Sequence, residues 1–362
     1  MHICRRLAFI LPVNLFYFKG FRIFSSYLPV LFHIVKEKAL LLIPVCSSCK
    51  FFMKKIFYTI ISILLIFFLL FFPQEALLSA QEGMRLWLNI LLPTLLPFMI
   101  LTGILIRTDC TAYLPASLEP FWQKIFGISS AGACALLFGL LCGYPMGAKL
   151  TSDLYTSQKI SRREAQYLLT FTNHASPVFI SSYLIHTCMN DQIPAFKVFG
   201  LLLISAWLTM TLMRLWYFRK NTSSEISDTK KETSSPSSPE AVLDASIMNG
   251  FETITKLGGY ILMFSILNAC IRHFWKNQTI LSHLLFCLLE MTTGLHQLSL
   301  SDLDTDIKYL CALVTVVLGG ACVTAQTRSL VTEKLSMIPY LASKLLNALI
   351  VMVLYLFVTK VI

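Results

Sequence analysis

Long apolar stretches, separated by short polar connections, run through most of the chain beyond residue 52. A membrane-spanning helix needs about 20 mainly apolar residues, and several of these stretches approach or reach that length. The pattern therefore predicts an all-α polytopic membrane protein. The predicted apolar segments are Ile56–Phe72, Leu86–Ile106, Ala131–Lys149, Tyr167–Ile185, Ala195–Phe218, Ile254–Ile271, Leu281–Leu295, Tyr309–Gln326 and Leu345–Val361.

Composition agrees with a membrane protein and excludes several other classes. Of the 362 residues, 56% are hydrophobic and 14% are charged, whereas globular chains have about 25% charged residues. The net charge of +11 is typical of cytoplasmic loops in a membrane protein. Because the basic residues are scattered, we expect no nucleic-acid partner. The cysteines lie mostly singly in apolar segments, and the CxxC pair Cys46 and Cys49 has no partner pair, so we expect neither a disulfide framework nor a metal site.

Four of the apolar segments are interrupted where a membrane helix should be continuous. The clearest interruption holds Gly143, Pro145 and Gly147. Proline cannot continue the helical hydrogen-bond ladder, and lipid cannot satisfy the backbone groups that the break frees. Such a break indicates either a transporter's binding site or a kinked helix that packs closely through small residues. The other interruptions fall at Asn173–Pro177, Glu290–Gly294 and Gly319–Gln326.

The interruptions recur in the same order in the two halves of the chain. A shift of about 147 residues places Gly143–Gly147 over Glu290–Gly294 and Asn173–Val178 over Gly320–Ala325. Each half then contains a helix, a broken hairpin, a broken helix and a final helix. The predicted organisation starts with an N-terminal extension at 1–52, which either does not conform to the fold or is disordered. It continues with a first membrane helix and repeat at 53–218, a Ser-rich cytoplasmic linker at 219–243 and a second repeat at 244–362.

The positions of the basic residues give a consistent topology. Lys54 and Lys55 place the start of the first membrane helix inside, and Arg219 and Lys220 place the linker inside as well. All the basic clusters agree only if Ala131–Lys149 is a re-entrant hairpin that returns to its own side. Each half then crosses the membrane three times, so the fold is predicted to be an inverted-repeat transporter with re-entrant hairpins and broken helices.

Polar side chains at the breaks are the candidate binding residues. Glu290 is a carboxylate at membrane depth, where charge is costly and by default indicates function. His174 can titrate near neutral pH, but it and its neighbours could equally satisfy the freed backbone. Lys149 could attract an anion or simply anchor the hairpin at the interface. The predicted substrate-binding residues are Gly143, Tyr144, Pro145, Gly147, Asn173, His174, Ser176, Glu290, Thr292, Thr293, Thr324 and Gln326, with Lys149 as an anion-attracting residue.

The sequence offers no arrangement suited to catalysis. It contains no nucleophile–base pattern, no paired acid–base carboxylates, no metal-ligand cluster and no phosphate-binding loop. We therefore expect no enzyme activity, no metal and no cofactor. A coupling cation, H⁺ or Na⁺, would drive transport, and the sequence leaves open which one it is. The expected partners are a small anionic substrate and the lipid bilayer, and homo-oligomers are compatible with the pattern.

Two strings in the first half carry a resemblance to a known family. Gly143-Tyr144-Pro145-Met146-Gly147-Ala148-Lys149 and Asn173-His174-Ala175-Ser176-Pro177 resemble YlbJ-type sporulation integral membrane proteins of the nucleoside-recognition, or Gate-domain, superfamily. The resemblance implies a fold similar to that of concentrative nucleoside transporters. It also implies transport of dipicolinic acid across the mother-cell-derived outer forespore membrane during endospore formation. A nucleoside or other metabolite transporter and a non-transporting scaffold for spore-envelope assembly remain the alternatives.

The hairpin topology predicts that the linker and the segment after the hairpin face the same side of the membrane. Single cysteines at Ser224 and Ser157, in a background without the native cysteines, should react with a membrane-impermeant thiol reagent from the cytoplasmic side only. Labelling from opposite sides would contradict both the hairpin and the inverted repeat.

Overall fold

The computed structural model describes residues 47–108, 118–219, 238–275 and 279–361, and within these ranges the chain is helical and contains no strand. Five helices are long and apolar enough to cross a membrane, and one bent pair raises the number to six. The predicted all-α polytopic class is confirmed. The chain divides into two compact units, Met1–Leu64 and Leu65–Ile362, which are taken in turn.

The described part of the first unit is one helix. Helix α1 (Ser47–Phe71) starts in this unit, and residues 1–46 lie outside the described residues. The predicted boundary between 52 and 53 falls inside this helix, because the apolar run is preceded by helix-compatible residues with no Gly or Pro. The predicted apolar segment Ile56–Phe72 lies within this helix except for its last residue, Phe72.

The second unit contains the elements of both predicted repeats. In the first half, α2 and α3 are joined by a π-helical turn at Trp87–Leu91, so they form one 35-residue candidate span from Pro73 to Arg107. A second π-helical stretch, Trp122–Phe126, precedes α4. A third, Phe179–Cys188, completes a helix that is broken in the middle. The helices are α2 (Pro73–Leu86), α3 (Leu92–Arg107), α4 (Ser130–Cys142), α5 (Met146–Thr156), α6 (Arg162–Leu168) and α7 (Ala195–Arg219).

The second half repeats this order of elements. It contains α8 (Pro239–Phe274), α9 (Ile280–Leu289), α10 (Met291–Ser299), α11 (Thr305–Leu318), α12 (Gly320–Leu330) and α13 (Ile338–Val361). The α4–α5 pair corresponds to α9–α10, and the broken helix after α5 corresponds to α11–α12. This order matches the sequence prediction of a long helix, a hairpin, a broken helix and a final helix.

Glycines allow the two helices of each hairpin to approach closely. A Cβ added at Gly139 of α4 would lie 2.9 Å from the Cα of Gly147 in α5. In the second hairpin, a Cβ at Gly294 would lie 2.4 Å from the Cα of Cys287. Both distances are below van der Waals contact, so each hairpin has backbone-to-backbone packing that only glycine allows.

Small residues also let the first long helices of the two halves pack closely against each other. Gly83 of α2 faces Ser265 of α8, and Gly103 of α3 faces Ser246. Between them, Trp87 Nε1 donates to the carbonyl oxygen of Ile254 over 2.9 Å. Together, these three contacts link the first half to the second at several points along the paired helices.

Two predicted boundaries need correction, each for an identifiable reason. The first hairpin was predicted to end at Lys149, but α5 continues to Thr156, and Thr151 and Leu154 in this extension are buried. The linker was expected to extend to 243, but Ser238 caps α8 by accepting from Ala241 N, which starts the helix at Pro239. The linker residues 220–237 lie outside the described residues.

The close contact at Gly147 makes a stability prediction. A Cβ there would meet the carbonyl oxygen of Thr172 at 1.9 Å, so Gly147→Ala must displace backbone. We expect a loss of about 1–3 kcal/mol or more in stability, measured as a lower thermal unfolding midpoint in detergent.

Gly200 of α7 provides the matched control, since a Cβ there meets nothing within 4 Å. Gly200→Ala should be neutral or stabilising by up to about 1 kcal/mol, because alanine favours a helix interior. Equal unfolding midpoints for the two variants would contradict the packing described for the hairpin.

Candidate functional site

The tip of the first hairpin is formed by the three residues between α4 and α5. Gly143 ends α4 with φ 81°, in the region that favours glycine. A Cβ at this position would lie 2.5 Å from Ser176 N, so the tip touches the next break directly. The first turn of α5 therefore begins beside Ser176, and its N–H groups carry the positive end of the helix dipole.

The broken helix of the first half is unwound between α6 and the π-helical stretch. Residues 173–176 have no regular secondary structure. Ser176 restarts the helix, because its Oγ accepts from Phe179 N over 3.1 Å. The Asn173 amide donates to Thr327 Oγ1 (3.0 Å) and to the Tyr340 hydroxyl (3.1 Å), both in the second half.

The second hairpin turns at Glu290, which caps α10. Its carboxylate accepts from Thr292 N (3.0 Å), Thr293 N (2.7 Å) and Thr292 Oγ1 (2.6 Å). The side chain is buried, with 3% exposure. The negative charge is therefore placed at a helix N-terminus, where the helix dipole stabilises it. Three of its acceptor positions are occupied by the protein itself.

The break in the last broken helix lies at Gly319 and Gly320, which have φ 74° and 75°. The predicted break extended to Gln326, but Thr324 and Gln326 lie inside α12. Thr324 Oγ1 accordingly donates to its own helix, at Gly320 O over 2.9 Å. Because these two glycines adopt positive φ values, the chain can leave α11 and begin α12 without a longer connection.

Tyrosines connect the breaks of the two halves. The Tyr144 hydroxyl contacts Met291 Sδ and donates to Val316 O over 3.3 Å. The Tyr183 hydroxyl donates to Thr292 O over 2.6 Å. Together with the Asn173 bonds, these contacts hold the first hairpin and the first broken helix against their counterparts.

A cavity of about 210 Å³ lies where these elements meet. Most of its wall is apolar, and its polar groups are hydroxyls and one amide; no charged side chain lines it in the described part of the chain. A mainly apolar cavity with a few convergent polar groups is typical of a small-molecule site. The polar lining residues are Thr94, Tyr144, Ser176, Ser182, Tyr183, Thr187, Thr292 and Gln326.

The structure brings part of the predicted site to this cavity. Tyr144, Pro145, Ser176, Thr292 and Gln326 line it. The remaining predicted residues lie outside the lining, among the residues that the structure describes: Gly143, Gly147, Asn173, His174, Glu290, Thr293 and Thr324. Most of these residues contribute to the structure around the breaks. Gly143 and Gly147 permit close backbone contacts, Asn173 bonds to the second half, and Glu290 caps α10.

Lys149 does not face the cavity. Its ammonium lies 2.8 Å from Asp153 Oδ2 and 3.0 Å from Asn249 Oδ1, and it is buried. The charge is therefore balanced by a carboxylate one helical turn away. These contacts join α5 to α8, which makes Lys149 an internal link rather than an open anion attractor.

Sequence reasoning missed a second buried lysine, Lys344 of α13. Its side chain donates to the carbonyl oxygen of Asn173 and is 4% exposed. The predicted final helix began at Leu345, one residue too late to include it. An ionisable residue within a span is the signal that would have found it, because the candidate span begins at Ile338.

The fold and cavity define a multi-pass helical membrane protein of transporter-like build. Residues 88–190, which contain the first hairpin and the first broken helix, match a family model described as Gate, nucleoside recognition. The chain is 28% identical, over 300 residues and 72% of each chain, to the sporulation integral membrane protein YlbJ of Bacillus subtilis (strain 168). No solved structure matches. The resemblance predicted from the sequence is confirmed.

The capping role of Glu290 makes a testable distinction. If the carboxylate mainly holds the second hairpin, Glu290→Ala should lower stability by about 0.5–2 kcal/mol, because it removes an N-cap. Glu290→Gln keeps one acceptor and should lose less. Thermal unfolding of both purified variants gives the measurement.

Glu252→Ala is the control, since this carboxylate is exposed and pairs only with Lys256 in the described part of the chain. Its effect on the unfolding midpoint should be smaller than that of Glu290→Ala, because solvent screens an exposed ion pair. If Glu290→Gln is as stable as the parent yet loses ion-driven uptake, a cation-binding role replaces the structural one.

Proposed function

We propose that this protein is a secondary transporter of a small anionic metabolite, with dipicolinic acid as the substrate during endospore formation. The observation that carries the proposal is the convergence on one cavity of three helix breaks and of α12, the helix that follows the fourth break. Broken helices beside a cavity are a general construction of transporter binding sites. The similarity to a sporulation membrane protein supports the setting, which we propose to be the outer forespore membrane.

The cavity has features suited to a flat aromatic dianion. Tyr144, Phe179 and Tyr183 contribute aromatic side chains to its wall. The N-terminus of α5, which follows the cavity residue Pro145, directs partial positive charge toward bound carboxylates. Hydroxyls and the Gln326 amide can donate the hydrogen bonds that orient such a ligand.

The transport cycle would alternate access to the cavity from the two sides of the membrane. The two halves have the same element order, so rocking of one half against the other exchanges the open side. A coupling cation, H⁺ or Na⁺, supplies the driving force. We propose no catalytic step and no cofactor.

A nucleoside transporter of the same fold is the second candidate. The family model that matches residues 88–190 is described as nucleoside recognition. Hydroxyls and one amide in an uncharged wall would also suit a ribose and a base. A non-transporting scaffold for spore-envelope assembly would require no use of the cavity at all.

Uptake into liposomes separates these functions. The purified full chain should accumulate radiolabelled dipicolinate when a proton or sodium gradient is imposed, and excess uridine should compete weakly. Preferred uptake of uridine would establish the nucleoside function instead. Uptake of neither, by protein that inserts and folds, would leave the scaffold.

One cavity residue tests where the substrate binds. Gln326→Met keeps the side-chain size but removes the amide, so dipicolinate affinity should fall about tenfold, as expected for a hydrogen bond to a charged ligand. Gln123→Met is the control, since Gln123 is exposed and contacts Glu119 outside the cavity. Equal affinities for both variants would place the substrate elsewhere.

A further inference from the structure

Lys344 is a buried cation inside a candidate membrane span. It lies in α13, within the span Ile338–Phe357, and is 4% exposed. Charged side chains at membrane depth are expensive, and those that occur usually face a bundle interior and serve a function. The function of this charge is not explained by the fold.

The surroundings of Lys344 contain no counter-charge. Its ammonium donates to the backbone oxygen of Asn173 and lies 5.8 Å from the ring centre of Tyr144 and 5.7 Å from that of Tyr340. Within the described ranges, no Asp or Glu oxygen lies within 4.0 Å of it. Lys149, in contrast, has Asp153 at 2.8 Å.

Polar atoms near Lys344 are also left without a protein partner. Asn173 Oδ1 and His174 Nε2 lie in the unwound segment that Lys344 contacts, and Asn347 Oδ1 lies three residues further along α13. All three atoms are buried and accept or donate no hydrogen bond within the described residues. Native proteins rarely leave such atoms unpaired, so each requires an explanation.

Tyr144 connects this polar cluster with the cavity. Its side chain lines the cavity, while its ring lies next to the Lys344 ammonium. Lys344 itself does not line the cavity, but its ammonium lies 5.8 Å from the ring centre of a residue that does. In a low-dielectric interior, attraction between charges extends over such distances with little screening.

We infer that Lys344 supplies the fixed positive charge of the anion site, and that a carboxylate of the ligand provides its missing counter-charge. This inference rests on the proposed transport of an anionic metabolite. The ligand class is a small carboxylate, and the cavity wall between Tyr144 and Thr292 is where it would bind. Neutral ligands would gain nothing from Lys344.

The test compares dipicolinate binding to the full chain in nanodiscs with binding to three variants. Lys344→Met and Lys344→Gln remove the charge, and the second retains a donor for the Asn173 oxygen if the first does not fold. Each should weaken dipicolinate binding at least tenfold and abolish its effect on the thermal unfolding midpoint. Lys344→Arg keeps the charge and should retain most of the affinity.

Lys256→Met is the control, because this lysine is half exposed on α8 and pairs with Glu252. Its affinity for dipicolinate should equal that of the parent. If the parent binds dipicolinate and folded Lys344→Met or Lys344→Gln binds it equally well, the inference fails while the proposed function stands. If the parent binds no dipicolinate, the proposed function fails and the inference fails with it.

Discussion

Every backbone group freed by a break in a membrane helix must find a partner inside the protein, because lipid offers none. This requirement explains the arrangement of the second unit. Glycines of the first hairpin lie in close contact with the unwound segment at Thr172 and Ser176. The tip of the second is capped by Glu290. Breaks whose freed backbone groups find partners in one another must lie close together. The space between them is then lined by polar groups.

The same requirement gives the two halves their mutual contacts. Asn173 bonds to Thr327 and Tyr340, and Tyr183 bonds to Thr292 O. Each bond joins an irregular or helix-terminal segment of one half to an element of the other. A movement of one half against the other would have to exchange these bonds rather than abandon them. The tyrosine hydroxyls, at the ends of long side chains, are suited to such an exchange.

Local sequence signals predicted the breaks well, whereas the side chains that complete them were harder to predict. Gly143 and Pro145 predict the turn of the first hairpin, because the backbone at these residues cannot continue the helix. Glu290 was recognised from the sequence as a lone carboxylate. Its role as an N-cap was not predicted, because that role requires a helix to begin at Met291. Lys344 was missed because the predicted final helix began one residue after it. Its contact with Asn173 could not be predicted either, because the two residues are 171 positions apart. No local pattern encodes a contact of that separation.

Three buried charges in the unit show how differently such groups can be satisfied. Lys149 has a carboxylate partner, and Glu290 has a helix N-terminus. Both are balanced within the protein and therefore have little attraction left for a ligand. Among the residues that the structure describes, Lys344 contacts a carbonyl oxygen and two aromatic rings, which stabilise an ammonium less than a carboxylate does. Among the three, Lys344 is therefore the charge for which an anionic ligand would add the most stabilisation, which is why we assign it to the anion site.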